Sequence, residues 1–289
     1  MDSIQETLRI TQRCAKECNQ KFGIVTYDLN AAKPAMQIQV TEQPQYNDVF
    51  IMLGAFHIEM AFFKAIGKLI TASGGPDMLT ETDVLALGSL NGFLSGKNFN
   101  RCKRIHLILA LAFEVHHFHA FLKTDEQTDQ LERLIQKANS VDGLPENIAV
   151  SDEFKTAIQP YETYKEATRC GEHGATARFW MIYIEYIHCY HSLEKAIQTN
   201  DLQLYIYTLT PIIDLFFAMS HLNYAKWLSK FQPDLMNLDD THPGLKAILE
   251  NGSFSIRRTD KHFSRIPIDW TLEQTVNADA SCHDKQLQC

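Results

Sequence analysis

A helix that crosses a membrane needs about 20 consecutive apolar residues with almost no charge, and this chain has no such run. Its two longest apolar stretches are broken, Ile105 to Leu122 by Glu114, His116, His117 and His119, and Leu204 to Met219 by Pro211 and Asp214. Both are expected to be buried helices, and no membrane partner is expected. The opening Met1-Asp2-Ser3-Ile4-Gln5-Glu6 lacks the basic and apolar segments of a secretory leader, so an intracellular protein is expected, nucleus or cytoplasm unresolved. The seven cysteines are odd in number and scattered, which excludes a regular disulfide framework and leaves reduced thiols. Basic residues are not in surplus either: the net charge of −8 disfavours a basic coat, although a local patch can still meet a phosphate backbone. Walker, G-x-G-x-x-G and G-x-S-x-G motifs are missing, so nucleotide-fold and hydrolase readings have no anchor. There is no repeat of fixed period and no low-complexity tract.

What is present suits a globular protein: 289 residues, 45% hydrophobic and 21% charged, enough for one sizeable core or two small ones. The expected order is a surface helix over Ser3 to Gln20, a strand over Phe22 to Tyr27, a helix from Ala31 to Gln43 with Pro34 in its first turn, and an apolar strand over Val49 to Leu53. At Gly54-Ala55-Phe56-His57 the period changes to that of a helix, stopped by Ser73-Gly74-Gly75-Pro76. Thr80 and Asp83 resemble a capping box for a helix to Leu94, as do Thr124 and Gln127 for a later one. Ile108, Leu111, Val115, Phe118 and Leu122 form a stripe on a helix from about Asn100. After a linker at Asn139 to Val150 come helices over Asp152 to Lys165 and Ala175 to Gln198, the latter seamed by Phe179, Tyr183, Tyr186, Tyr190, Leu193 and Ile197. Thr210-Pro211 reads as an N-cap and first helical residue, dividing the run after Asp201 into two helices. Phe254 to Arg258 reads as a short strand and Thr271 to Asp279 as a last helix. The expected fold is mainly α with a small β-sheet (α+β): one domain over 1–280, with strands in 20–75, and a disordered tail over 281–289.

Few residues offer chemistry. Asp28 ends the first strand, where a carboxylate can hold Mg²⁺ for phosphoryl transfer or simply cap the next helix. His57 follows the second strand, as a metal ligand, a general base or a hydrogen-bonded structural residue. Glu59, on a different helix face, reads as solvated. The pairs His116/His119, Glu185/His188 and His188/His191, with Cys170/His173, have ligand-like spacing, but no second clean Cys/His pair completes a zinc site. Lys97, Arg101, Lys103 and Arg104 cluster around Phe99, and Arg257, Arg258, Lys261 and Arg265 lie near Phe254 and Phe263. Basic groups interleaved with aromatics can follow a nucleic-acid backbone and stack bases, or form solvated patches that balance an acidic surface.

Five ordered blocks share a resemblance: Gly23-Ile24-Val25-Thr26-Tyr27-Asp28, Leu53-Gly54-Ala55-Phe56-His57, Leu94 to Arg101, Ala218 to Trp227 and Arg265 to Asp279. Over about residues 20 to 280 the chain resembles a multi-copy family of uncharacterised animal proteins, which itself resembles the product of a mobile element. Descent from an RNase H-like transposase would imply a degenerate RNase H-like core with a large helical insertion. Asp28 would then match the first-strand acid and Glu273 a third acid, with His57, His221 and Asn223 as further polar groups in matching blocks. Ala55 stands where the second acid is expected. The resemblance also implies that the family continues beyond Asp279, so that this chain looks truncated or altered. The resulting expectation is a non-catalytic, transposon-derived protein with possible DNA or RNA affinity and no cofactor. The alternative is a metal-dependent nuclease or strand-transfer enzyme using Asp28, His57 and Glu273, with Asp28 and Glu273 as Mg²⁺ ligands.

Overall fold

Gly23–Tyr27 (β1) and Val49–Leu53 (β2) lie side by side as parallel strands, with Val25 opposite Ile51. Parallel strands require a crossover, which the helix Leu29–Thr41 (α2) supplies. Every residue of β2 is buried, as its unbroken apolar sequence implies for a strand covered on both faces. The computed structural model describes residues 2–124, 129–140 and 148–275. The expected tail at 281–289, the end of the expected last helix and Gln127 of one capping box lie outside the described residues.

In chain order, Asp2–Glu17 (α1) precedes β1, and β2 is followed by Ala55–Ile70 (α3), Gly75–Glu81 (α4), Leu87–Leu94 (α5), Phe99–Phe121 (α6) and Asp129–Ala138 (α7). Next come Asp152–Cys170 (α8), Ala175–Thr199 (α9), Leu202–Ala218 (α10), Leu222–Met236 (α11), Leu238–Thr241 (α12) and Leu245–Ile248 (α13). An antiparallel pair, Ser255–Arg257 (β3) and Arg265–Pro267 (β4), and the helix Ile268–Gln274 (α14) close the described chain. The described residues are thus mainly helical with two small two-stranded sheets, the second beyond the N-terminal segment expected to hold the strands. No helix among the described residues is long and apolar enough to cross a membrane.

The chain divides into two compact units, residues 1–102 with 189–289, and residues 103–188. In the first, α3 is the central helix, with Ile58, Phe62, Phe63, Ala65, Ile66 and Ile70 buried. A Cβ on Gly67 would come within 1.9 Å of the Leu94 carbonyl oxygen, so only glycine lets α3 approach the end of α5 this closely. In the second unit, Phe121, Leu131 and Tyr161 form a core cluster to which Phe118, Leu122 and Ile135 add.

Four expectations change. Thr80 does not open a helix: it ends α4, its hydroxyl donating to the Asp77 carbonyl at 2.9 Å, and Asp83 takes a left-handed φ of 55° between two helices. Pro211 does not divide α10, because packing holds the helix on both sides of it: Ile206, Leu209, Ile212 and Leu215 are all buried. The helix α2 starts at Leu29, so Pro34 lies past its first turn. Ile108, Leu111 and Val115 are exposed, because α6 turns Cys102, His106, Leu109 and Ala110 inward instead.

Candidate functional site

The site forms where β1 and β2 end. Asp28 follows β1 as the N-cap of α2, its Oδ1 accepting the Ala31 N–H at 2.9 Å, so it does act as the helix cap. At the end of β2 the next helix, α3, begins at Gly54 with no side-chain cap of its own. A helix N-terminus leaves N–H groups without intrahelical acceptors, and burial there demands an acceptor from elsewhere. Asp269 of α14 provides it: Oδ1 accepts the Phe56 N–H and Oδ2 the His57 N–H, each at 3.1 Å. The same Oδ2 accepts a hydrogen bond from His57 Nδ1 at 2.9 Å. One carboxylate, only 5% exposed, therefore caps α3 and orients the His57 ring.

Aromatic packing keeps that carboxylate in place. Trp270 stacks on Phe56 at 5.8 Å with ring planes 9° apart, and Phe99 meets both rings edge-on at 4.9 and 5.5 Å. The Asp269 hydrogen bond raises the His57 pKa above its ordinary value against the opposing effect of burial, and the charges of Asp28 and Glu273 add to the rise.

Asp28, His57 and Glu273 line one cavity of about 250 Å³, together with Asp269. A larger cavity of about 440 Å³ is lined by Asp28, His57, Lys97, His221 and Asn223, and also by Lys33, Lys64 and Tyr224. His221 precedes α11, its ring stacked 5.9 Å from Phe216. Burial lowers its pKa, and Lys64 and Lys68 lower it further. Burial pushes the Tyr224 phenol up to about 12.

The remaining basic candidates line neither cavity. Arg257 folds onto its own loop, donating to the Thr259 and Asp260 carbonyls at 3.1 and 3.2 Å. Arg258 and Arg101 are exposed, and Lys103 and Arg104 belong to the other unit. Glu59 is not solvated but 3% exposed, with Tyr190 Oη donating to it at 3.0 Å, because its helix is buried on nearly every face.

Asp28 and Glu273 share a cavity, as Mg²⁺ ligation would first require. Among the described residues, however, no three His, Cys, Asp or Glu side chains converge to hold a metal ion, so the residues present do not make up a complete site.

A family model described as a domain of unknown function, DUF8702, matches residues 1–284. The chain belongs to this family. No curated protein and no solved structure matches. The DUF8702 match spans both units and every residue of the site. Within it, sequence reasoning missed Asp269, Lys33 and Lys64. The one local signal for Asp269 was indirect: Gly54-Ala55 starts a buried helix without an acceptor side chain, so some distant residue had to supply one.

Proposed function

We propose that this protein is a transposon-derived nucleic-acid-binding protein that seats a backbone phosphate in the larger cavity beside His57. The observation that carries the reading is the convergence of Lys33, Lys64 and Lys97, from three separate segments, on one cavity of a chain whose net charge is −8. Ammonium groups gathered in a concave site raise the local potential, and His57 adds a fourth positive group when protonated. Asp28 offsets one of these charges. The five sequence blocks support the mobile-element ancestry, and three of the residues they nominated, Asp28, His57 and Glu273, share the smaller cavity.

Fluorescence anisotropy with single- and double-stranded DNA and RNA at two salt concentrations tests this. Affinity should fall as salt rises, and replacing any one of the three lysines by alanine should reduce the logarithmic salt slope by about one. No binding at low salt, or binding indifferent to salt, would overturn the reading.

The alternative, metal-dependent phosphoryl transfer with Asp28 and Glu273 as Mg²⁺ ligands, has their shared cavity in its favour and the lack of a third converging ligand among the described residues against it. Calorimetric titration of the protein with Mg²⁺ tests it. Heat of binding that vanishes in Asp28→Asn and Glu273→Gln would support this alternative, and no heat in the wild type removes it.

A further inference from the structure

His57 and His221 line one cavity with three lysines, yet their surroundings differ in kind. His57 has Nδ1 on a buried carboxylate, which leaves Nε2 as the nitrogen a ligand can meet. His221 has its ring against Phe216 and has Lys64 and Lys68 as its charged neighbours. Resting on the phosphate-binding reading above, we propose that this cavity cleaves RNA without a metal, His221 serving as general base, His57 as general acid and Asp269 as the residue that positions His57.

The chemistry balances within the substrate. His221 takes the proton of a ribose 2′-hydroxyl, and the 2′-oxygen forms a bond to the adjacent phosphorus. The bond from phosphorus to the 5′-oxygen breaks, and His57 gives that oxygen a proton. A 2′,3′-cyclic phosphate and a 5′-hydroxyl result, with no oxidant, external nucleophile or metal-bound water. Because the substrate supplies the nucleophile, DNA cannot follow this path.

Three features favour it. The charge that builds on the non-bridging oxygens would lie near Lys33, Lys64 and Lys97, whose positive charges stabilise it. The pKa of His57 is raised by its carboxylate partner and that of His221 lowered by burial and nearby lysines, opposite directions that suit the one to the acid's part and the other to the base's. Asp28 and Glu273 as well as Asp269 favour the protonated form of His57.

The test uses the full chain in excess EDTA with a short single-stranded RNA, the same sequence as DNA, and a DNA strand carrying one ribose. The RNA should be cut and the chimera cut only after its ribose, leaving cyclic phosphate termini by mass spectrometry, while the DNA stays intact. His57→Gln and His221→Gln should each slow cleavage about 100-fold or more with circular dichroism unchanged. The pH profile should have two limbs, and Asp269→Asn should shift the alkaline limb to lower pH. Should a variant unfold, the wild-type profile decides, since a rate without two limbs overturns the proposal. DNA cut as fast as RNA, or full activity in His57→Gln, also overturns it. RNA that is bound but uncut sinks the cleavage and leaves the binding reading standing, whereas no binding at low salt sinks both.

Discussion

Gly54 and Asp269 are fitted to one another across more than two hundred residues: a Cβ on Gly54 would lie 2.2 Å from Asp269 Oδ2. The absent side chain is what lets the distant carboxylate reach the first turn of α3.

Gly54→Ala should therefore push Asp269 off the helix terminus and destabilise the protein by about 1 to 3 kcal/mol, the usual cost of overpacking a tight site. Urea unfolding gives the number. Combined with Asp269→Ala, the two costs should add to less than their sum, since each removes the same cap. Full additivity would mean that the contact contributes nothing.

The His57–Asp269 pair makes stability depend on pH in a defined direction. A histidine whose folded pKa is raised adds stability that is fully present below its unfolded pKa of about 6.5 and is lost as pH rises through the higher folded value. The stability gap between wild type and Asp269→Asn should thus be wider at pH 6 than at pH 9. An NMR titration of the His57 ring should show its pKa falling in the variant, and an unchanged value would break the link.

In the second unit the dependence has the opposite sign. His117 bonds Tyr161 Oη at 3.1 Å and Thr168 Oγ1 at 2.8 Å, and burial, with His173 and Lys165 nearby, pushes its pKa down to about 4. Below about pH 6.5 the unfolded chain takes up a proton that the folded one refuses until about pH 4, so stability falls with acidification across that window. Replacing His117 with Gln should flatten this acid limb in thermal melts. His106, buried against Tyr183 and with its pKa pushed down to about 3, adds a slope of the same sign that remains in that variant.

Tyr190→Phe removes the hydroxyl that donates to buried Glu59 while keeping the ring packed 4.6 Å from Phe63. Taking one partner from a buried acceptor costs about 1 to 3 kcal/mol, and a loss in that range is expected from denaturant unfolding. A loss much smaller would show that other partners carry Glu59.

Local pattern was sufficient for the backbone around the site. The apolar run of β2, the β-branched run of β1 and the change of period at Gly54 set the strands, their helices and the corner at which Asp28 and His57 lie. Where local rules had to compete with neighbours they misled. Pro211 lies inside an unbroken helix buried on both sides of it, Thr80 ends a helix it looked suited to start, and Glu59 is buried with a tyrosine 131 positions away.

From the sequence alone came the helical class, the two N-terminal strands and the acid and histidine that follow them, because hydrophobic period and capping chemistry act over a few residues. Only the tertiary structure brought Asp269 onto His57 and gathered Lys33, Lys64 and Lys97 into one cavity. Those are contacts between segments far apart in the chain, set by how buried helix ends and aromatic faces are satisfied in three dimensions, and no spacing along the chain encodes them.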